Sequence, residues 1–400
     1  MTVSIKPRLL FLGHALPFPP EGGVTVRAFH TVRLLSQKFD VTSLFFARRR
    51  ALPAGGLEQA VQGMEPYCAA RGFPIAQEYS TVRRFRDHAV SLLRRRVYTY
   101  FEYESEAFER SLEALTVQGP WAWVHVDSLD LSRYLPMLEG SIACTHHNVE
   151  SQVLRRRAGM EARPLIRRYL RRQAELMREE EQQWLPKVRM NIAVSEPDRD
   201  QLLALSPDAR VEVVPNGVDH REFQPSDSTE VEGVVFVGGL DWFPNRDALT
   251  YFHDSILPAL DSRIEPVTWV GRATPGDVRR YAGSRIRLTG HVPDIRTYVL
   301  NAACFIVPLR VGGGTRLKIL NAWAMGKAVV STSLGCAGLT AIDGENILIR
   351  DTPEGLADAI ANVVRDPALR TRLGIAGRTT IEREYSWDVI QHRFEELYVV

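Results

Sequence analysis

The sequence predicts an α/β protein of two successive doubly wound units, each a parallel sheet wrapped by helices, with a helical segment at the C-terminal end. Short apolar runs alternate with amphipathic stretches from Arg8 to Val214, and the same alternation restarts at Gly233. No repeat with a period of about 20–50 residues is present, which excludes a solenoid. At 400 residues, 45% hydrophobic and 24% charged, the chain has ordinary globular composition and length for two or three domains.

The run Arg8–Gly13 reads as a buried strand, followed by a Pro- and Gly-rich loop (Pro17 to Gly23) and an amphipathic helix from Thr25 to Gln37. Phe39 to Phe46 is the second strand. The stretch 50–118 reads as mostly helical and Arg-rich, with its elements poorly marked. Trp121 to Val126 and Ser141 to Thr145 are further strands, and residues 150–185 form a long charged helical stretch broken near Gly159 and Pro164. Met190 to Val194 and Val211 to Val214 complete the first block. In the second, Gly233 to Val237, Val267 to Val270, Ile286 to Leu288, Cys304 to Val307, Ala328 to Ser331 and Ile347 to Ile349 are short apolar strands. A helix begins near Asn245, and helices fill 353–400. The expected domains are therefore 1–222 and 233–385, with a linker at 223–232 marked by Pro225, Ser226 and Ser228. A C-terminal helix over 386–400 is a candidate to pack back on the first domain.

The net charge of +2 conceals an asymmetry. Residues 1–190 carry 28 Lys/Arg against 20 Asp/Glu, and the remainder 22 against 28. The basic half is clustered: Arg48 to Arg50, Arg83, Arg84 and Arg86, Arg94 to Arg96, Arg155 to Arg157, and Arg167, Arg168, Arg171 and Arg172. Guanidinium groups suit phosphate and anionic surfaces, so an anionic membrane or a phosphorylated acceptor is an expected partner, though each cluster alone also fits a solvated helix face. No nucleic acid partner is expected. The four cysteines are scattered without a Cys-x-x-Cys pair, and read as reduced thiols of a cytoplasmic protein. No apolar run reaches the ~18 residues of a membrane span, and the opening run, closed by Gly13 and His14, is too short for a signal peptide.

In doubly wound sheets ligands bind beyond the carboxyl ends of the strands; with two such domains, the crevice between them is the default site. The segment with most chemistry is Pro308-Leu-Arg-Val-Gly-Gly-Gly-Thr-Arg-Leu-Lys-Ile-Leu-Asn-Ala-Trp-Ala-Met-Gly326. A buried strand ends, three glycines follow, and a helix starts near Thr315. Glycines admit a close ligand, and a helix N-terminus presents free N–H groups. Arg310, Arg316 and Lys318 add full charges, and the combination points to a phosphate. It is not a Walker A loop, and no Gly-x-Gly-x-x-Gly follows the first strand, so a dinucleotide site is disfavoured.

At this point the chain resembles the retaining glycosyltransferases of family 4, which have the GT-B architecture of two facing Rossmann-like domains. The resemblance covers nearly the whole chain. It rests on that segment, on Gly22-Gly23 after strand one, Thr145-His-His-Asn148, Val214-Pro-Asn-Gly-Val-Asp219, Thr289-Gly-His-Val-Pro-Asp294, Val329-Val-Ser-Thr-Ser333 and Gly338-Leu339. It implies a nucleoside diphosphate sugar as donor, bound by the second domain, and a glycan or lipid-linked acceptor on the first. Gly290, His291 and Val292 would meet the base. Gly312, Gly313, Gly314 and Thr315 would hold the diphosphate and reach the ribose with Asn321. Gly22 and Gly23 would approach from the first domain, and His146 would sit near the transferred sugar.

There are departures. The family's Glu-x7-Glu glutamates would fall at Gly313 and Asn321, neither a carboxylate here. Asn321 can accept a hydrogen bond only as a neutral group. The family's Arg and Lys after the first strand of domain two are also missing. Gly239 stands at the Arg position and Pro244-Asn245 near the Lys position. Arg310, Arg316 and Lys318 are the candidates to replace that charge, with Arg272 a further one. Protein cations at a departing diphosphate make a metal unnecessary, and neither metal nor cofactor is expected. Asp198-Arg-Asp200 reads as a helix start after Ser195, not a metal motif. Asn321 leaves open a nucleotide-sugar-binding protein on the same fold without activity. An epimerase on this fold would need acid/base carboxylates that the sequence does not offer.

Overall fold

The computed structural model describes residues 6–226, 231–281, 285–312 and 316–399. The chain divides into two compact units, one of residues 1–214 with 391–400, the other of residues 215–390. Of the segment 223–232 expected as a linker, residues 223–226 and 231–232 fall within the second unit, and 227–230 lie outside the described residues.

The first unit holds a parallel sheet of seven strands: β1 (Arg8–Gly13), β2 (Asp40–Ala47), β3 (Ala69–Pro74), β4 (Trp123–Val126), β5 (Ile142–His146), β6 (Met190–Ala193) and β7 (Val211–Val213). Their spatial order is β3-β2-β1-β4-β5-β6-β7, so the winding reverses between β1 and β4. The central strand β1 buries Leu9 to Leu12 completely, as a strand covered on both faces must. β3 lies inside the stretch expected to be helical. It is an edge strand, half-exposed and interrupted by Gly72, so it lacks the apolar run that marks a central strand. The charged stretch 150–185 resolves into helices Glu150–Met160 and Pro164–Trp184, divided where Pro164 cannot continue the first.

The second unit repeats the plan with six strands: β8 (Glu232–Val237), β9 (Val267–Val270), β10 (Ile286–Leu288), β11 (Ala302–Val307), β12 (Val329–Ser331) and β13 (Leu348–Ile349). The order β10-β9-β8-β11-β12-β13 reverses between β8 and β11. Helix Leu317–Ala324, which carries Lys318 and Asn321, buries Ile319, Leu320, Ala322 and Trp323. Trp323 anchors it: its indole N–H donates to the Asn346 carbonyl at 2.9 Å. A Cβ on Gly377 would stand 2.4 Å from that ring, so only glycine lets helix Pro367–Thr380 pack so close. The face of helix Leu317–Ala324 that bears Lys318 is thereby held in register with the sheet edge.

Candidate functional site

Each sheet collects polar residues where its winding reverses, at the carboxyl ends of the strands. In the first unit, His14 follows β1, Asp127 follows β4 and His147 follows β5. The Asp127 main-chain carbonyl is 3.0 Å from both His14 Nδ1 and His147 Nε2. The Asp127 carboxylate is fully buried and lies 3.4 Å from His147 Nε2 and 3.7 Å from His125 Nε2. Burial pushes this carboxyl up, but the surrounding imidazoles, His147 foremost, outweigh it and hold it below the usual carboxylate range. Burial lowers His14 to about 4, aided by His147, so its ring is neutral at pH 7. One ligand atom from each of His14, Asp127 and His147 lies within 4.8 Å of the others, a spacing that could hold a metal ion.

His146 is placed differently. It is the last residue of β5, and its Nε2 donates to Asn191 Oδ1 on β6 at 2.9 Å. Burial lowers it to about 4. Successive side chains of a strand leave on opposite faces, so His146 joins the sheet interior and the next histidine reaches the cluster. Downstream, the Glu150 carboxyl accepts from Asn148 Nδ2 at 2.9 Å, and burial pushes it up to about 8. Gly22 caps helix Gly23–Lys38 on the same carboxyl side, its N–H donating to Thr25 Oγ1 at 2.9 Å. Gly23 is the first residue of that helix, and both glycines are exposed.

In the second unit Gly239, Arg272, His291 and Gly312 follow β8, β9, β10 and β11. The backbones there touch: a Cβ on Gly271 would stand 2.6 Å from the Gly238 carbonyl carbon, and φ at Gly271 is +146°. Gly271 N–H donates to the Gly290 carbonyl at 3.1 Å, and Leu240 N–H to the Arg272 carbonyl at 2.7 Å. Arg272 and His291 are exposed and Val292 half-buried. Gly313, Gly314 and Thr315 lie outside the described residues.

The three cations of the glycine segment differ in role. Arg316 is 9% exposed, and a Cβ on Gly312 would stand 3.1 Å from its guanidinium. Lys318 Nζ donates to Asn245 Oδ1 at 2.8 Å and lies 3.9 Å above the Phe236 ring. Asn245 in turn donates to the Gly239 carbonyl at 2.9 Å. Burial, with Arg316 nearby, holds Lys318 well below the ordinary lysine range. Arg310 instead pairs with Asp247 at 2.8 Å and covers the Tyr251 ring, so its charge is already met within the protein. The Asn321 side chain is half-buried and makes no hydrogen bond among the described residues. Asp198 accepts from Ser195 Oγ at 2.5 Å at the start of helix Glu196–Leu205, as a helix cap.

The family described as Glycosyltransferase Family 4 matches residues 21–222, half of the chain. The chain belongs to glycosyltransferase family 4. A second family description, "Glycosyl transferases group 1", covers residues 232–366 of this family 4 member. The phosphatidyl-myo-inositol mannosyltransferase of Mycobacterium leprae is 29% identical over 232 residues, spanning 54% of this chain and 60% of that protein. Sucrose-phosphate synthase from Thermosynechococcus elongatus is similar in structure, with a TM-score of 0.73 at 18% identity over 98% of each chain. Anabaena HepE, solved with UDP and glucose, has a TM-score of 0.67 at 12% identity over 98% of this chain and 99% of its own. These likenesses show the GT-B fold of two Rossmann-like domains.

Within this family 4 chain the sequence reading names His14 as the close of the first strand and His147 as part of Thr145-His-His-Asn148, but assigns neither of them, nor Asp127, a place in the site. Each follows a buried strand, and a polar residue at that place in a doubly wound sheet is the signal that could have found them.

Proposed function

We propose that the protein is a retaining glycosyltransferase that moves a sugar from a nucleoside diphosphate to a hydroxyl of a glycan or lipid-linked acceptor, with neither metal nor cofactor, at the cytoplasmic face of a membrane. The observation that carries the reading is the amine of Lys318, held at the carboxyl edge of the second sheet beside the largely buried Arg316.

Breaking the sugar–phosphate bond develops negative charge on the departing diphosphate. Cations held in place beforehand stabilise that charge without reorganising during the reaction. Arg316, and Lys318 once a bound diphosphate has favoured its protonation, are suited to this, and the first residues of helix Leu317–Ala324 add backbone N–H groups. In the first unit, His147 and His14 offer imidazole nitrogens to the sugar and acceptor hydroxyls, with Asp127 orienting His147. Retention then follows from departure and attack on one face, without an enzyme nucleophile. The UDP and glucose in the Anabaena HepE structure support a nucleoside diphosphate donor, and the Mycobacterium leprae relative's name supports a lipid acceptor.

The test is a panel of UDP-, GDP- and ADP-sugars screened by thermal shift, then incubated with lipid and glycan acceptors. NMR of the product should show the anomeric configuration of the donor. Inversion would overturn the retaining reading, and no stabilisation by any nucleotide would overturn the donor site.

A further inference from the structure

Helix Thr81–Arg94 is packed inside out. A surface helix ordinarily buries its apolar stripe and leaves its polar face in water. Here the buried residues are Asp87 and Ser91. Gln77 Nε2 donates to Asp87 at 2.7 Å, and Gln173 Nε2 donates to Ser91 Oγ at 2.8 Å. The outward stripe is Val82, Phe85, Ala89, Leu92 and Leu93, spaced to lie along one side of the helix. Phe85 is 70% and Leu93 82% exposed. The patch extends to the neighbouring helix Pro164–Trp184, whose Tyr169 hydroxyl is 2.5 Å from His88 Nδ1; one turn before it, Leu165 is 82% exposed.

Arginines close the C-terminal end of this stripe: Arg94 and Arg95 follow Leu93 directly, while Arg86, beside the stripe, is paired with Asp87 at 2.7 Å. The guanidiniums of Arg94 and Arg95 are exposed and form no ion pair among the described residues, so their charge is available outward. An apolar stripe closed by unpaired arginines matches a bilayer surface, where acyl chains take the stripe and lipid phosphates take the cations. A second copy of the same face would bring like charges together, which disfavours self-association there.

We infer that helix Thr81–Arg94, with Leu165, docks the protein on an anionic lipid surface. This deepens the lipid-linked arm of the proposed function and rests on it for the purpose of the docking. No helix among the described residues is long and apolar enough to cross a membrane, so a peripheral contact is how this chain would meet a lipid-borne acceptor.

The experiment is co-sedimentation of the full chain with phosphatidylcholine vesicles, with and without phosphatidylglycerol. The protein should pellet with the anionic vesicles, and high salt should release it. Phe85→Ser with Leu93→Ser should lower the bound fraction by roughly tenfold or more. Arg94→Glu with Arg95→Glu should weaken binding by about fivefold or more per charge removed. Both pairs are surface changes, and unchanged melting curves and nucleotide affinity confirm an intact fold. Failure of the wild type to pellet, equal binding to neutral vesicles, or full binding by the Phe85/Leu93 variant overturns the inference. So does a dimer in light scattering that the same variant dissociates, which would make the stripe an interface between copies. Thermal shift with UDP, run in parallel, separates the two readings, because docking without nucleotide binding defeats the donor site and leaves the docking surface standing.

Discussion

Lys318 Nζ reaches Asn245 Oδ1 across 2.8 Å, although the two residues sit on helices that follow different strands of the second sheet. Asn245 stands near the position where the family carries a lysine. The amine therefore arrives from the opposite side of the sheet's reversal point, and the asparagine serves as its rest. Lys318→Ala should weaken nucleoside diphosphate binding by about 1.5–3 kcal/mol, the worth of a charged hydrogen bond. Calorimetry on the variant checks this, and unchanged affinity would remove Lys318 from the site.

The same lysine predicts a proton flux. Burial and Arg316 disfavour its charged form, whereas an adjacent diphosphate favours it. Binding should take up protons, seen as a dependence of the binding enthalpy on the ionisation enthalpy of the buffer. Equal enthalpies in phosphate and Tris would count against this coupling.

Asn321→Glu tests the ribose contact. The Asn321 side chain has no hydrogen bond among the described residues, and Lys318 lies three residues earlier on the same helix. The variant should keep its melting temperature and bind donor at least as tightly. The rate should rise only if the contact strengthens in the transition state. Weaker binding together with a lower melting temperature would show that the position packs instead of binding.

The two adjacent histidines should separate in their effects. His146→Ala leaves the buried Asn191 carbonyl oxygen without its donor, at a cost of about 1–3 kcal/mol of stability. His147→Ala removes the imidazole that does most to offset the burial of Asp127, so it should lower kcat as well as the melting temperature. A loss of kcat in His146→Ala and not in His147→Ala would return the sugar contact to His146.

Turnover should survive excess EDTA. If chelation stopped it and manganese restored it, the metal would belong to His14, Asp127 and His147, whose ligand atoms lie within 4.8 Å of one another. Asp198 is already engaged by Ser195. Replacing Asp127 with Asn would then abolish the rescue.

Glu150 makes stability pH-dependent. Its folded form holds a proton up to about pH 8 because it is buried, whereas an unfolded chain releases it near the ordinary carboxylate value. The group therefore favours the fold in acid, and that contribution fades as pH rises through about 8. Glu150→Gln should melt at a higher temperature than the wild type at pH 9 and lose that advantage at pH 5. Parallel curves at both pH values would contradict it.

Apolar runs flanked by glycine marked the central strands of both sheets, because burial on two faces leaves no room for alternation. The edge strand β3 was hidden for the opposite reason: it is exposed on one side and carries Gly72 and Arg71. In the second unit Arg310, Gly312, Arg316 and Lys318 are readable as a group because they fall in one short run of sequence, whereas Gly239, Arg272 and His291 follow three other strands and come only through the resemblance or through their place after a strand. Arg310 was chosen on its charge, and nothing in the sequence near it revealed Asp247 as its partner. The histidine cluster draws single residues from after three separate strands, so only the sheet order assembles it. In Thr145-His-His-Asn148, which histidine turns outward depends on where β5 ends, the least readable feature of a strand.

Residues 391–400 join the first unit, where the Tyr398 hydroxyl lies 2.5 Å from His125 Nδ1 and the Trp123 indole donates to the Val399 carbonyl at 3.2 Å. A ribosome makes these residues only after the whole of residues 215–390. The first unit emerges early, and His125, which stands next to Asp127, waits for its phenol partner until the whole second unit has been synthesised. A ribosomal stall between Val214 and Gln391 thus leaves an amino-terminal half whose centre is unfinished. A fragment ending at Val214 should melt below the intact chain, and a peptide of residues 387–400 added in trans should recover part of the difference.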